Sequence, residues 1–487
     1  MHMKKQLTDL LSEIEKVKVK GSDKKEIGEV VFDSRKVKED CLFVAVKGTH
    51  VDGHDYISQV FESGCRVVIC ENEPKEKPDD ATIIVVADSS KALGVLASAF
   101  YGYPSRELNL VGVTGTNGKT TIATLLYNMA QMLGYKAGLF STVTNYIAGK
   151  PMPATHTTPD AVSINRMMRE MVDAGCEYCF MEVSSHAVDQ NRIAGLSFNG
   201  GVFTNITHDH LDYHKTFKAY IDAKKGFFDQ LDKEAFALTN ADDKNGLVMV
   251  QNSKASCLTY SLREMANYKG RIIESMFEGM QLDIDGTEVW TPFVGYFNAQ
   301  NLLAVYGASL LLGFDRPEVL VTLSNLQPVE GRFETIRSKE GKTAIVDYAH
   351  TPDALRNVIE TINVIRQPNQ QLITVVGAGG DRDVTKRPEM AHEAVVGSSK
   401  VILTSDNPRS EDPEKIIEDM MTGVAFADRM KVLSIVNRKE AIRTACMVAT
   451  PGDIVLVAGK GHETYQEIKG IRHHFDDREV IREIFQC

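Results

Sequence analysis

The stretch VTGTNGKTT, residues 113–121, follows the apolar run LNLVG and precedes apolar residues at helical spacing: Ile122, Leu125, Leu126, Met129 and Leu133. Gly115 and Gly118 let backbone N–H groups turn toward a phosphate, and a helix beginning near Lys119 offers its positive end. Lys119 can reach terminal phosphates, and a threonine hydroxyl can bind Mg²⁺. The strict pattern G-x-x-x-x-G-K-[ST] is met at Gly118, Lys119 and Thr120, but its first position falls on Val113, with Gly112 one residue early. A tight strand-to-helix turn carrying a surface lysine is the plainer alternative.

Other segments carry candidate chemistry. MEVSSH places Glu182 at the end of an expected strand, where a carboxylate suits a hard cation or simply pairs at the surface. THDHLDYH gathers His208, Asp209, His210, Asp212 and His214, which fits a zinc site or a helix-capping Asp among solvated histidines. Cys176 and Cys179 form a lone C-x-x-C, and without a second pair they are expected to be strand or loop thiols. Three later apolar runs end in polar loops: GAGGDRD with Arg382, SDNPRSEDP with Asn407 and Arg409, and GKGHE with Gly459 and Glu463. Two arginines and a glutamate suit a small zwitterion with an extra carboxylate and an extra ammonium.

The elements that must position these groups alternate strand with helix, which implies parallel sheets with ligands beyond the carboxyl ends of the strands. At about 150 residues per domain, 487 residues suggest three domains. Turn-rich breaks at YGYPSREL and NLQPVEGRFE divide the chain into residues 1–107, 108–330 and 331–487. The expected class is α/β: a small mixed N-terminal domain, a central P-loop-type parallel-sheet domain and a C-terminal Rossmann-like domain. A formal charge of −11 argues against nucleic-acid binding. No apolar run reaches the roughly 18 residues of a membrane span, and the first residues lack an apolar signal core. A cytoplasmic monomer without membrane insertion is expected.

TGTNGKTT resembles the ATP loop of the Mur ligase family, the amide-forming enzymes of peptidoglycan precursor synthesis, including its departure from the strict pattern. The resemblance runs in order over nearly the whole chain. It implies that Gly115, Thr116, Asn117, Gly118, Lys119, Thr120 and Thr121 hold ATP. It places Asn298 and Asn301 of GYFNAQNLLAV near the adenine, although Asn298 also reads as a helix cap. Arg332 of EGRFE and Asp347 of VDYAHTPDAL, with His350, would be further nucleotide contacts. Thr120 would ligate one Mg²⁺, and Glu182 and His210 a second. Lys119, His210 and Lys224 would form the catalytic set. Lys224 of YIDAKKGFF, selected over Lys225 by its spacing from DHLDYH, would be carbamylated and join the metal ligands. Nearby positive charge lowers an amine's pKa, and the neutral amine can take up CO₂ to become an anion. Ser34 of VFDSRKV, Thr157 and Thr158 of TTPD, Ser184, and Gln190 and Arg192 of DQNR would bind a UDP-sugar peptide. His156 stands where related sequences often carry Asn, and Glu330 where they often carry Pro.

DNPR is similar to the diaminopimelate signature of the family, so Arg382, Asp406, Asn407, Pro408, Arg409, Gly459 and Glu463 would bind meso-diaminopimelate. L-Lysine lacks the second carboxylate and would leave Arg409 facing no partner. The implied reaction adds meso-diaminopimelate to the D-Glu γ-carboxylate of UDP-N-acetylmuramoyl-L-Ala-D-Glu through an acyl phosphate. It would use ATP, Mg²⁺ and a Lys224 carbamate, with domain closure excluding water. The alternatives are the same reaction with L-lysine, a folylpolyglutamate synthetase-like ligase, or a nucleotide-dependent switch that leaves Arg382, Arg409 and Glu463 unexplained.

Overall fold

The computed structural model describes residues 4–49, 51–154 and 156–486. The first third is the expected small mixed domain. Glu29–Val31, Cys41–Val44, Val67–Cys70 and Thr82–Val85 pair in parallel in that order, and Lys18–Lys20 joins antiparallel beside Thr82–Val85. Helix Ser89–Phe100 packs Ala92, Leu93 and Leu96 on one face of this sheet. Its partner, the central domain, is reached through Asn191, whose Nδ2 donates to Ser90 Oγ at 2.9 Å.

The central domain is built on an 11-stranded sheet. Seven strands, from Ala137–Phe140 through Asn109–Thr114 to Tyr268–Met276, pair in parallel, as continuous apolar runs covered on both faces require. Antiparallel strands extend the expected parallel sheet at both edges. Thr144–Ile147 and Lys150–Pro153 extend one edge antiparallel, and Gly279–Ile284 and Thr287–Thr291 the other. The latter hairpin turns at Asp285 and Gly286, with φ of 47° and 80°. An Asp-Gly pair with both φ values positive is the turn that matches strand twist. Cys176 and Cys179 are buried free thiols at and within strand Tyr178–Glu182.

The C-terminal sheet orders Glu334–Arg337, Thr343–Asp347, Ile454–Ala458, Leu372–Ala378, Lys400–Ser405 and Val432–Ser434, and every pair but the first is parallel. Helices Pro352–Ile365, Lys386–Gly397 and Pro413–Met421 cover one face; Arg438–Val448 and Asp477–Phe485 cover the other. The loops bearing Glu463, Arg382 and Arg409 leave the carboxyl ends of three adjacent strands. Among the described residues no helix is long and apolar enough to cross a membrane.

Candidate active site

Strand Asn109–Thr114 ends in the glycine turn, and helix Lys119–Met132 starts directly after it. Gly118 has φ of 87°, and a Cβ there would lie 2.6 Å from Asn301 Oδ1. At Gly115 a Cβ would meet Thr204 Oγ1 at 1.8 Å. The turn therefore admits no side chain at either position. Its backbone donors are shared unequally. Asn205 accepts from the Thr116 N–H through its carbonyl and from the Asn117 N–H through Oδ1, at 2.8 and 2.9 Å. The N–H groups that open the helix are the ones left for an anion. Lys119 folds back, donating to the Gly115 and Thr116 carbonyls at 2.9 and 2.8 Å.

Lys224 Nζ donates to the same Gly115 carbonyl at 2.7 Å, from a side chain that is 1% exposed. Burial, and then the neighbouring Lys119 ammonium, push its amine well below the ordinary lysine range. Lys225, by contrast, points the other way and pairs with Asp229 at 2.6 Å. Glu182 is fully buried. It accepts from Thr120 Oγ1 at 3.0 Å and from the Thr142 N–H at 2.7 Å. Burial raises its carboxyl pKa, with Lys119 opposing.

The histidine-rich segment does not form a zinc site: among the described residues no three His, Cys, Asp or Glu side chains gather as a metal cluster. Asp209 of this segment is buried. It accepts from the His210 N–H at 2.8 Å and pairs with Lys386 of the C-terminal domain. Burial would raise its carboxyl, but His210 and Lys386 hold it well below the carboxylate range. His210 has φ of 54° and stands with its ring centre 4.9 Å from that of His186. Burial, with His186 adding to it, lowers the imidazole pKa. His214 hydrogen-bonds Ser185 Oγ at 2.9 Å, while His208 is exposed.

A cavity of about 600 Å³ lies between the central and C-terminal domains. Asn117, Gly118, Thr121, Asn298, Asn301, Arg332, Asp347 and His350 are among its lining residues. Asn298 is not the helix cap; Gly295 holds that position, and Asn298 Nδ2 returns to the Val294 carbonyl at 2.9 Å. Arg332 crosses the junction to donate to Thr120 Oγ1 at 3.2 Å and stacks on Tyr348, while its Nε is buried without a partner. Asp347 accepts from the Phe333 and Ala349 N–H groups at 2.7 and 2.8 Å, and burial raises its carboxyl to about 6 against the pull of Arg332. Asn117 Nδ2 also crosses, to Asp353 Oδ2 at 3.1 Å. The residues fit a magnesium nucleotide: a cradle closed to any Cβ, an orphaned buried guanidinium nitrogen, and the hard oxygens of Thr120 and Glu182 side by side.

Five of the six residues assigned to the sugar peptide form one network around Glu182. Thr157 Oγ1 accepts from Thr142 at 3.1 Å, and Thr158 Oγ1 donates to the Glu182 carbonyl at 2.7 Å. The Ser184 N–H donates to Thr158 Oγ1 at 3.1 Å, and Ser184 Oγ caps the next helix at the Ala187 N–H. Arg192 bonds the Thr158 carbonyl at 2.8 Å and clasps Gln190 Oε1 at 3.0 and 2.6 Å. Ser34 is elsewhere, opening the short helix Ser34–Lys36 of the N-terminal domain.

The acceptor loops converge. A Cβ on Gly379 would touch both Arg409 Nη1 at 3.0 Å and Arg382 at 3.7 Å. Arg409, with φ of 52°, donates to the Gly380 carbonyl at 2.6 Å, whereas Arg382 is exposed. The Pro408 carbonyl lies 2.0 Å from where a Gly380 Cβ would stand. Asn407 Nδ2 donates to Glu463 Oε2 at 2.8 Å. The Gly459 N–H donates to the Asp347 carbonyl at 3.0 Å, which ties this loop to the nucleotide side. Asp406 shares the buried Arg438 guanidinium, 3.9 Å away, with Asp477 at 2.7 Å. Sequence reasoning missed Lys386, Asn205, Asp353 and Lys460. GKGHE contained the signal for Lys460, whose charge lies between the two residues that were chosen.

Three family models match in order. "Mur ligase family, catalytic domain" covers residues 26–101, "Mur ligase middle domain" 113–309, and "Mur ligase, glutamate ligase domain" 331–461. A UDP-N-acetylmuramoyl-L-alanyl-D-glutamate–2,6-diaminopimelate ligase from Phocaeicola vulgatus is 59% identical over 465 residues, 96% of either chain. The protein of that name from Bacteroides fragilis is 57% identical over 479 residues, covering 98% of this chain and 99% of its own. A solved structure of a ligase of the same name is 33% identical with a TM-score of 0.67, covering 94% of this chain and 95% of that one.

Proposed function

This chain belongs to the Mur ligase family, and from that membership we propose how its residues carry the reaction. The activity is that of an ATP-dependent ligase joining 2,6-diaminopimelate, in its meso form, to the D-Glu γ-carboxylate of UDP-N-acetylmuramoyl-L-Ala-D-Glu. The observation that carries the residue-level reading is the arrangement across the domain junction. On one side lies a phosphate cradle beside Glu182. On the other, three loops at neighbouring strand ends bring Arg382, Arg409 and Glu463 together.

The γ-carboxylate oxygen bonds to the terminal phosphorus of ATP as ADP leaves. The acceptor amine then attacks the acyl carbon, phosphate departs, and the amine proton is lost to give the amide. Magnesium, when bound, neutralises phosphate charge. Thr120, Glu182, His210 and a carbamylated Lys224 are the residues that would hold it. The amine buried against the Gly115 carbonyl beside Lys119 supports the carbamate reading, because burial and a neighbouring cation both favour its neutral, CO₂-reactive form. Lys119 and Arg332 balance charge on the phosphates. Asn298 and Asn301 flank the nucleotide, and Asp347 orients the segment after Arg332. Thr157, Thr158, Ser184, Gln190 and Arg192 hold the peptide of the sugar substrate, and Ser34 its uridine end. Arg409 grips the far carboxylate of the acceptor, with Asp406, Asn407, Pro408, Gly459 and Glu463 shaping its ammonium side. The enzyme acts as a cytoplasmic monomer.

The test compares diaminopimelate and L-lysine as acceptors for wild type and Arg409→Ala, measuring phosphate release. Release should require the sugar dipeptide and diaminopimelate together, and Arg409→Ala should erase most of the preference. An unchanged preference would remove the acceptor assignment.

A further inference from the structure

The acceptor loops contain a cation that the reaction scheme does not use. Lys460 is 0% exposed. Its Nζ donates to Glu463 Oε2 at 2.9 Å and to Asn407 Oδ1 at 3.1 Å, and lies 5.4 Å from the centre of the Tyr465 ring. Asn407 is fully engaged in this cluster. Its Nδ2 gives the second hydrogen bond to Glu463 Oε2, at 2.8 Å, and its Oδ1 also accepts from the Glu467 N–H at 2.9 Å. Both donors meet the same carboxylate oxygen. No described residue donates to Oε1, and the Glu463 side chain keeps 15% of its surface open.

The charges around this cluster are paired in a particular way. Glu463 is balanced by Lys460, and Asp477 and Asp406 share Arg438. Arg409 spends its described hydrogen bonds on backbone, and neither it nor Arg382 forms an ion pair among the described residues. The pocket therefore presents two guanidinium groups that share the field of the Asp381 carboxylate without a direct ion pair among the described residues, and a Glu463 carboxylate whose charge is already balanced. An incoming ammonium alone finds the Glu463 charge already taken up by Lys460. An ammonium accompanied by a carboxylate finds both an oxygen at Glu463 and a guanidinium partner.

We propose that Lys460 is a specificity-determining positioning residue, which neutralises Glu463 and presents its Oε1 so that the pocket takes an amino-acid end rather than a bare ammonium. The inference rests on the acceptor-pocket assignment made above. It explains why a site for an ammonium contains a buried ammonium of its own. Without Lys460 the Glu463 charge stands uncompensated, and a terminal amine lacking a carboxylate is attracted instead of excluded.

The experiment measures steady-state kinetics of Lys460→Met with diaminopimelate and with L-lysine, beside Arg409→Ala, after circular dichroism and thermal melting have established folding. Lys460→Met should raise KM for diaminopimelate about tenfold and lower the diaminopimelate-to-lysine ratio of kcat/KM by about tenfold or more, with KM for ATP within about twofold. A purely architectural lysine would depress both acceptors alike, so a ratio within about twofold of wild type overturns the proposal. The double variant Lys460→Met/Glu463→Gln restores the charge balance and should move the ratio back toward wild type. If it instead keeps the ratio of the single variant, the proposal is likewise overturned. Should Lys460→Met fail to fold, Lys460→Gln carries the same test. A ratio that collapses in Arg409→Ala but not in the Lys460 variants defeats this inference alone. A ratio unmoved in Arg409→Ala defeats the pocket assignment beneath it.

Discussion

Lys386→Met should loosen the junction between the central and C-terminal domains. Lys386 is the first residue of helix Lys386–Gly397, and it pairs with Asp209 across that junction. The two side chains are 15% and 5% exposed. Exposed ion pairs contribute about 0–1 kcal/mol, whereas removing one partner of a buried pair costs about 3–5 kcal/mol. This case lies between them, near 2–3 kcal/mol, because Asp209 keeps its bond from the His210 N–H at 2.8 Å and regains water when the domains part. The Asn117–Asp353 and Arg332–Thr120 bonds, at 3.1 and 3.2 Å, remain. A cost of that size moves the closed-to-open ratio of the ligand-free enzyme by about a hundredfold. Small-angle X-ray scattering should show a larger radius of gyration for the variant and a compact Lys386→Arg, and calorimetry should show weaker ATP binding in the variant. A folded Lys386→Met with the wild-type radius and ATP affinity would refute the reasoning.

Gly118→Ala puts a Cβ 2.6 Å from Asn301 Oδ1 at a φ of 87°. The left-handed backbone alone costs an L-residue about 1–2 kcal/mol, so an ATP titration should show at least about tenfold weaker binding. Lys224→Ala and Lys224→Arg should both lose nearly all activity, and wild-type activity should fall when bicarbonate is stripped; an active Lys224→Arg would exclude the carbamate. Asp347 tests a pH dependence. Its folded pKa of about 6 lies above the unfolded 3.8, so its stabilisation is complete below about pH 4 and is lost as pH rises through 6, by up to about 3 kcal/mol. Asp347→Asn cannot titrate, so its urea midpoint relative to wild type should rise between pH 4 and 6 and then level off. A difference that stays flat across that window would count against the buried, raised carboxyl.

What the sequence revealed, and what it hid, follow from how each feature is written. The phosphate turn was legible because strand, glycine spacing and helix lie within a few residues, and each glycine has a local steric reason to be there. The gathering of the three C-terminal loops at one sheet edge was legible because parallel topology collects strand ends without any knowledge of pairing order. The hairpin at Asp285 and Gly286 went unread although its turn residues were in view, because both strands interrupt their apolar residues with polar ones and the second is partly exposed. The partner of Asp209 was illegible for a different reason. It lies 177 residues away on another domain, and no local pattern distinguishes a solvated cap from one half of a cross-domain pair.

Three cations around the junction rest on neutral acceptors. Lys119 rests on the carbonyls of its own loop, Arg332 on the Thr120 hydroxyl, and Arg409 on the Gly380 carbonyl. Each is a cation bonded to a neutral acceptor, although a phosphate or carboxylate oxygen would bind it more strongly. Lys386 differs, since it already has an anion in Asp209. On the binding roles proposed above, ligand would exchange weak partners for strong ones at the first three sites while leaving the fourth intact. The buried Arg332 Nε, which has no partner among the described residues, would gain one outright. The free energy of ligand binding can thus draw the two domains together without first breaking the pair that aligns them. On this argument the Lys386–Asp209 pair sets the geometry of closure and the exchanging cations drive it, so a variant of Lys386 should alter the resting shape, whereas a variant of Lys119 or Arg409 should alter only the response to ligand.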